Sequence, residues 1–357
     1  MSLCPQNAPN RWMIVRGLFD TVSCMASEQR KTFLDFACPD ASIRTEVEGL
    51  LEGDMHSQDI VMPADPANKN DVEHEEPLPQ ISGYTIDRVL GTGGAGSVFS
   101  AINSSTGRRV AIKTVRSHGA GSQVLQRFRQ ECRALSRLSH SGIVQVVETG
   151  SVNGNTYLVM EFINGVSLDM WTKANSPTAA RSIVLAQEIL AALAHAHDAG
   201  VIHRDIKPHN VMVTTDGHIK LVDFGVARLT NEEGRRTGFR TETGHLVGTF
   251  AYMSPEQTDG RSDRIGVTSD VYQVALLLFE MLAGRLPYEA DGKSAAGLLK
   301  AVLMDERVRL EEVRPDLAGP ISDLLNKALS INPSDRPQTV RAFDAALDAV
   351  METLVIV

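Results

Sequence analysis

The stretch "LGTGGAGSVFSAINSSTGRRVAIK" runs from Leu90 to Lys113 and has glycines at positions 91, 93 and 96. Two unrelated phosphate-binding folds use this GxGxxG spacing. In a dinucleotide-binding fold a helix starts at the loop and an acidic residue follows about 20 positions on. Here β-branched residues and a Ser/Thr/Gly turn follow Gly96, and Lys113 stands where the acid is expected. The stretch therefore predicts a glycine loop between strands, although Lys113 taken alone could equally be a surface lysine.

The surrounding sequence predicts a strand-rich part followed by a helix-rich part. Five short β-rich runs are broken by turn signals: YTIDRVL (84–90), SVFSAI (97–102), RRVAIKTV (108–115), IVQVVETG (143–150) and TYLVMEFI (156–163). One helical pattern, at 122–138, interrupts them. From about residue 167 the pattern turns helical, and the apolar run at 270–284 predicts a buried core helix. This order indicates an α+β fold with a cleft between its two parts.

The first 82 residues differ in composition from the rest of the chain. Apolar residues at helical spacing between 10 and 55 predict two or three short amphipathic helices. The stretch from Met62 to Pro79 is rich in proline and acidic residues and has little to bury, which is typical of a linker. We expect a helical N-terminal segment at 1–61, a linker at 62–82 and a folded domain at 83–350.

Composition excludes several classes of protein. With 43% hydrophobic residues among 357, the chain can bury a large core, and its formal net charge of -9 argues against nucleic-acid binding. The four cysteines are far apart and predict reduced thiols rather than disulfides or zinc. No signal-peptide pattern stands at the N-terminus, and the apolar run at 274–284 is too short to span a bilayer. We therefore expect a cytoplasmic protein without a membrane segment.

Two further motifs make the fold specific. Residues 203–210 read HRDIKPHN, and DFG follows at 223–225 after the strand-like run GHIKLV. Together with the glycine loop and the VAIK lysine, they resemble the protein kinase superfamily, and the KP after HRDI resembles its serine/threonine branch. The wording of YMSPEQ at 252–257 is similar to that of bacterial kinases of the eukaryotic-like type. The resemblance implies a kinase with protein substrates phosphorylated at serine or threonine, in bacterial signalling.

The resemblance extends from residue 84 to about 348, roughly three quarters of the chain. It implies an α+β, two-lobed protein kinase fold, preceded by the short helical segment. The small β-rich N-lobe would cover about 83–163, and the larger helical C-lobe about 164–350.

The resemblance also implies the catalytic roles. Asp205 would orient or accept the proton of the attacking hydroxyl, and Lys207 would place a cation near the transferred phosphoryl group. Lys113 would contact the ATP phosphates and be positioned by Glu131, a pair whose breakage is the usual off-state of the family. Asn210 and Asp223 would hold the metal, with Mg²⁺ (or Mn²⁺) and ATP as the implied cofactors.

The implied ATP site has three parts. The glycine loop over the phosphates is formed by Leu90, Gly91, Thr92, Gly93, Gly94, Ala95, Gly96, Ser97 and Val98. Val98 and Ala111 would form the roof of the adenine slot, and Met212 its floor. Met160 would lie at its back, and Glu161 to Ile163 would form the hinge. Each of these apolar residues could also be plain core.

The C-lobe motifs imply peptide positioning and regulation. GTFAYMSPEQ (248–257) resembles the segment that positions the acceptor peptide, with Glu256 paired to Arg336 and Asp270 holding the catalytic loop. Arg204 implies control by phosphate on the activation segment. We expect autophosphorylation, through self-association, at Thr241 and Thr243.

Three departures from the family accompany these matches. The segment between Asp223 and Glu256 is long, Val166 stands where a second glycine is common, and Gln273 and Ala275 stand where serine and glycine are frequent. Gln273 and Ala275 put in doubt the details of how the helix predicted at 270–284 packs. Two other readings compete with a protein kinase: a catalytically silent scaffold of kinase fold, against which five catalytic motif residues argue, and a small-molecule kinase, against which the peptide-positioning segment argues.

Overall fold

The computed structural model describes most of the chain from residue 79 onward and scattered positions before it. The described residues are 15, 18–19, 22, 30–31, 33–35, 38, 40–54, 79–93, 96–115, 132–152, 155–224, 251–259, 264–288, 295–304 and 307–355. The strands are β1 Tyr84–Gly93, β2 Gly96–Asn103, β3 Arg109–Val115, β4 Val146–Val152, β5 Asn155–Glu161, β6 Gly165–Ser167, β7 Val211–Thr214 and β8 Ile219–Leu221. The helices are α1 Ala41–Asp54, α2 Leu168–Asn175, α3 Ala179–Asp198, α4 Pro255–Thr258, α5 Val267–Ala283, α6 Ala295–Leu303, α7 Leu310–Val313, α8 Pro320–Ala328 and α9 Val340–Val355.

The first five strands form one antiparallel sheet in the order β1-β2-β3-β5-β4. The prediction of strand, loop, strand around the glycine stretch is therefore confirmed, and no helix starts after Gly96. Side chains alternate across a sheet, so residues that face each other in register share a face. The outer face has a small core of its own, formed by Ile81, Ala101, Val110, Ile112 and Val159.

The helical part is built around α5. Thirteen of its 17 residues are buried, which confirms the buried core helix expected from its continuous apolar sequence. The helix ends at Gly284, whose φ of 71° lies in the left-handed region that favours glycine and whose N–H donates to the Glu280 carbonyl at 2.8 Å. α3 starts at the Thr178 cap, which accepts from the Arg181 N–H, and packs against α5 and α9.

A second sheet, in the order β6-β7-β8, lies at the start of the helical part. The loop before β7 contains Asp205, and Asp223 comes directly after β8. Because β7 and β8 are antiparallel neighbours, the start of β7 lies beside the end of β8, and the two motif aspartates lie near these strand ends. A β-sheet lobe followed by a helical lobe confirms the predicted two-lobed α+β fold.

The N-terminal segment contributes apolar side chains to the main core. Its described residues are helical except Cys38 and Asp40, and α1 ends at Asp54. Eight of its side chains are buried in one apolar cluster with Cys132, Leu135 and Leu138; they are Val15, Leu18, Val22, Phe33, Leu34, Cys38, Ile43 and Val47. Most of the expected linker lies outside the described residues, so the domain limits stay predictions.

One helix in the described part of the chain, α3, has the length and composition to cross a membrane. However, 56% of its apolar window is buried inside the fold, and core helices meet the same criterion. The helix is therefore weak evidence for a membrane span.

Candidate active site

The loop before β7 holds the Asp205 carboxylate in a fixed position. The Asn210 side-chain amide donates to Asp205 Oδ2 at 2.9 Å and to the Asp205 carbonyl at 2.8 Å. Lys207 Nζ lies 3.0 Å from the same carboxylate oxygen. The structure thus brings together three of the predicted site residues, and the cation of Lys207 stands next to the carboxylate.

A second ion pair lies between the two lobes. Lys113, on the inner face of β3, places its Nζ 2.8 Å from Asp223 Oδ1. The Lys113 side chain is only 15% exposed, so Lys113 is a largely buried residue and not a surface lysine. The carboxylate found on Lys113 is that of Asp223. Glu131 lies outside the described residues, and its pairing with Lys113 stays a prediction.

Two residues of this region have strained backbones. Arg204 has a φ of 65° and Asp223 a φ of 56°. Both values lie in the left-handed region, where a residue other than glycine costs about 1–3 kcal/mol and persists only if its surroundings hold it. Strain of this kind clusters at functional sites, and here it affects Asp223 itself and the residue directly before Asp205.

Asp270 is one of the groups that hold the strained loop. It is fully buried near the start of α5, and its carboxylate accepts from the His203 N–H at 2.9 Å and from the Arg204 N–H at 2.8 Å. The predicted tether behind the loop is therefore confirmed. His197 Nε2 lies 2.8 Å from the same carboxylate, a contact that no sequence signal revealed.

His203 is buried between this tether and the DFG motif. Its Nε2 lies 3.2 Å from the Val222 carbonyl, and its ring stacks on Phe224 with centroids 4.4 Å apart. Burial lowers the pKa of His203, against the opposing effect of the Asp270 and Asp205 charges. The ring is therefore a neutral packing group that joins the two motifs.

The inner face of the large sheet forms an apolar roof. Lys113 lies opposite Val98, and Ala111 lies opposite Met160, so all four share this face. Met160 is buried and Ala111 half-buried in the main apolar cluster. Met212 on β7 and Ile163 after β5 are half-buried, and Ile163 packs against the same cluster.

The hinge is braced by Glu161. Its carboxylate Oε1 accepts from the Gln145 N–H at 2.9 Å and lies 2.6 Å from Lys220 Nζ. The Glu161 N–H donates to the Gln145 carbonyl at 2.9 Å. The Glu161 side chain therefore fixes the backbone at the predicted hinge. Lys220, which the sequence analysis missed, is the cation of this brace.

The donor set fits a hard divalent cation. Asp223 offers a carboxylate that is 32% exposed, and the Asn210 amide, held through its nitrogen, leaves Oδ1 as an oxygen ligand. Among the described residues, no group of three or more His, Cys, Asp or Glu could hold a metal ion unaided. Such a sparse set suits a divalent ion that is held by one or two protein oxygens together with substrate phosphates.

The segment before α4 is anchored by a buried ion pair. Arg336 donates to both oxygens of Glu256, at 2.8 and 2.9 Å, and to three backbone carbonyls. Burial acts to raise the pKa of Glu256, but the hydrogen bonds and charge of Arg336 and the Ser269 hydroxyl outweigh it, and the pKa lies below its ordinary value. The predicted pair is confirmed as a structural anchor.

The same segment is tied to α5 by Tyr252. Its hydroxyl donates to the Glu280 carboxylate, and burial together with the Glu280 charge raises the pKa of Tyr252. Burial, together with the charge of Asp169, raises the pKa of Glu280. The segment therefore packs on the same helix that holds the catalytic loop.

Several predicted residues lie outside the described part of the chain. Within the glycine loop these are Gly94 and Ala95, whereas the residues on either side belong to β1 and β2. The predicted phosphorylation sites Thr241 and Thr243 lie outside it as well.

Comparison with known proteins assigns a family. The family model "Protein kinase domain" matches residues 84–347. The serine/threonine-protein kinase pkn3 of Myxococcus xanthus is 35% identical over 276 residues, which cover 75% of this chain and 50% of that protein. The serine/threonine-protein kinase PrkC of Bacillus subtilis is 33% identical, over 76% of this chain and 41% of its own length. The chain thus spans half or less of these two relatives.

A solved structure supports the same fold. The PknI kinase domain of Mycobacterium tuberculosis has a TM-score of 0.58 and 25% identity, and the match covers 76% of this chain and 97% of that domain. The match to the family model covers well over half of the chain, and the relatives are bacterial serine/threonine kinases. Membership of this family implies ATP and a divalent metal ion as cofactors. The chain belongs to the protein kinase domain family, in its bacterial eukaryotic-like serine/threonine branch.

Proposed function

We propose that this chain transfers the γ-phosphoryl group of ATP to serine and threonine hydroxyls of proteins, as part of bacterial signalling. The observation that carries the proposal is the Asp205 carboxylate, held by Asn210 at 2.9 Å and by Lys207 at 3.0 Å. The Lys113–Asp223 pair on the other side of the cleft completes the set. These are the groups that phosphoryl transfer requires: a proton acceptor, cations and metal ligands.

Each residue has a defined part in this proposal. Asp205 orients the acceptor hydroxyl and takes its proton, since its carboxylate is held in place by Asn210 and Lys207. Lys207 and Lys113 neutralise charge on the transferred phosphoryl group and on the other ATP phosphates. Asn210 and Asp223 would hold Mg²⁺ (or Mn²⁺), and the bound ion would supply charge neutralisation at the phosphates.

The experiment is phosphoryl transfer from radiolabelled ATP by the full chain, to itself and to a generic basic protein. Asp205→Asn keeps the size of the side chain and removes the proton acceptor, so we expect transfer to fall by about 100-fold or more. Nucleotide binding, measured as the thermal shift with ATP and Mg²⁺, should remain. Transfer that survives the substitution would remove Asp205 from the mechanism.

The same experiment separates a kinase from a silent scaffold. A parent chain that binds ATP but transfers no phosphate, with Mg²⁺ or with Mn²⁺, would identify a scaffold. Transfer to small-molecule acceptors without transfer to protein would identify a small-molecule kinase.

Regulation and location complete the proposal. The kinase phosphorylates itself at Thr241 and Thr243 through transient self-association, and it acts in the cytoplasm. Phosphothreonine carries nearly two negative charges and can order a loop by pairing with an arginine such as Arg204. After incubation with MgATP, mass spectrometry should find phosphate on one or both threonines, and its absence from both would contradict this part.

A further inference from the structure

Two buried glutamines lie between the catalytic loop and the segment that precedes α4. Gln273 belongs to α5 and is 1% exposed, and Gln257 belongs to α4 and is 4% exposed. Burying a side-chain amide costs free energy of folding unless its N–H donors and its oxygen acceptor make hydrogen bonds. The partners of these two side chains therefore indicate what the glutamines hold in place.

Gln273 contacts the backbone on both sides of Asp205. Its Oε1 accepts from the Ile206 N–H at 3.0 Å. Its Nε2 faces three oxygens: the Arg204 carbonyl at 3.3 Å, the Tyr252 carbonyl at 3.2 Å and Gln257 Oε1 at 3.0 Å. One side chain on α5 thus reaches the catalytic loop and the neighbouring segment together.

Gln257 reaches the same carbonyl from the other direction. Its Nε2 donates to the Arg204 carbonyl at 2.7 Å, and its Oε1 accepts from the Ser254 N–H at 3.0 Å. Gln273 also donates to this Oε1. The two amides therefore form one connected unit, and the shorter of their two bonds to Arg204 comes from Gln257.

These bonds act on the strained residue of the loop. The backbone of Arg204 has a left-handed conformation. Its N–H donates to Asp270, and its carbonyl accepts from the two glutamines. Both ends of this residue are therefore fixed by side chains from α4 and α5. Since Asp205 follows directly, the same bonds set the direction in which its carboxylate points.

We propose that Gln257 and Gln273 form an amide clamp, a pair of positioning residues that aligns Asp205 with the segment at 251–257. The clamp rests on the proposed function, in which that segment positions the acceptor peptide. It gives a role to Gln273, which stands where serine is frequent in the family. A serine side chain is two atoms shorter than that of glutamine. The clamp therefore depends on the glutamine that this chain has at position 273.

The test uses the full chain with Gln273→Ala, Gln257→Ala and the double variant. A reacting group displaced by about 1 Å loses up to about 100-fold in rate, so we expect kcat to fall by about 10- to 100-fold in each single variant. The KM for ATP should stay within about two-fold, because the described bonds of the clamp go to the loop at 204–206 and to the segment at 252–257 and not to the predicted ATP-binding residues. The double variant should lose less than the product of the single losses, since both amides act on one carbonyl.

Gln273→Met separates positioning from space-filling. Methionine has about the same length and volume as glutamine but makes none of the four hydrogen bonds of the Gln273 amide. We expect a loss of kcat about as large as that of the alanine variant, whereas a merely space-filling residue would tolerate the exchange. Gln187→Ala is the matched control, because this half-buried glutamine on α3 has its described bonds to the side chains of Asp348 and Asp344 and none to the loop at 203–206.

Amide hydrogen exchange provides a readout that does not depend on activity. In Gln273→Ala the peptide covering residues 203–206 should exchange faster, because the Ile206 N–H loses its acceptor. If the parent transfers no phosphate, the proposed function fails, and the exchange rate alone decides whether the clamp holds the loop. Unchanged exchange, or parental kcat per nucleotide-binding site in both single variants, would overturn the clamp.

Discussion

Replacing Arg336 by methionine removes the cation that faces Glu256 in the core of the helical lobe. The Arg336 side chain is fully buried and the Glu256 side chain 2% exposed, so water cannot replace the lost partner. Three backbone carbonyls, those of Ser330, Thr268 and Ile331, lose their donor in the same step. We therefore expect Arg336→Met to destabilise the chain far more than the loss of a surface ion pair would.

The expected size follows from the burial of the Glu256–Arg336 pair. Removing one partner of a buried ion pair costs about 3–5 kcal/mol, because the other charge stays in the protein interior without compensation. In a domain of this size each kcal/mol lowers Tm by about 2–4 °C. Differential scanning fluorimetry of the full chain at pH 7.5 should show a decrease in Tm of about 6–20 °C.

The pH dependence gives a sharper test. In the parent, the pKa of Glu256 lies below its unfolded value, so the pair contributes stability above that unfolded value and loses it as the pH falls through the folded pKa. Without Arg336, burial raises the pKa of Glu256, and protonation then relieves the buried charge. The difference in Tm between parent and variant should therefore shrink from pH 8 to pH 5.5.

Two further variants serve as controls. Arg341→Met breaks the exposed pair with Asp198 and should leave Tm unchanged within error. Glu256→Gln combined with Arg336→Met should recover part of the loss, since no buried charge remains. A decrease in Tm no larger than that of the surface control, or a deficit that grows as the pH falls, would refute the reasoning.

Three other substitutions test the site and the fold. Lys113→Met removes a cation of the proposed ATP site and should lower radiolabelled phosphoryl transfer by about 100-fold or more; a loss under about two-fold would contradict the proposed role of Lys113. The lowered pKa of His203 means that its ring contributes stability above about pH 6.5 that is lost as the pH falls. In His203→Gln the fall of stability between pH 7 and pH 5 should be shallower, by up to about 1.4 kcal/mol per pH unit in denaturant titrations. A Cβ on Gly165 would lie 2.4 Å from the Val213 carbonyl oxygen, so Gly165→Ala should cost about 1–3 kcal/mol in the same titration, whereas Gly49→Ala, which meets open space, should cost nothing.

Local pattern was enough to predict most of the fold. The turn after Gly96 and the β-branched residues around Lys113 place the strands of the N-lobe, and the continuous apolar sequence of α5 requires burial. The ion pair of Glu256 with Arg336 also followed from motifs alone. The strands and α5 depend on residue types within a short stretch of sequence. The ion pair depends on motifs that recur in members of the family.

The tertiary hydrogen bonds could not be predicted in this way. Gln273 looked like a departure that put packing in doubt, yet it is buried and its amide bonds a carbonyl 69 positions away. His197 bonds Asp270 across a separation of 73 positions. A flexible polar side chain has many rotamers, and the bond it makes is decided only when distant elements have packed.

The shared apolar cluster of the N-terminal segment has a practical consequence for work on the isolated kinase domain. A fragment cut at the family boundary, near residue 84, would leave behind Val15, Leu34, Val47 and the other buried residues of that segment. The kinase-domain side chains that pack against this segment would then face solvent as an apolar patch, and such a patch promotes self-association. Fragments meant for crystallisation or inhibitor screening should therefore start upstream of Val15, and shorter ones are expected to aggregate on concentration.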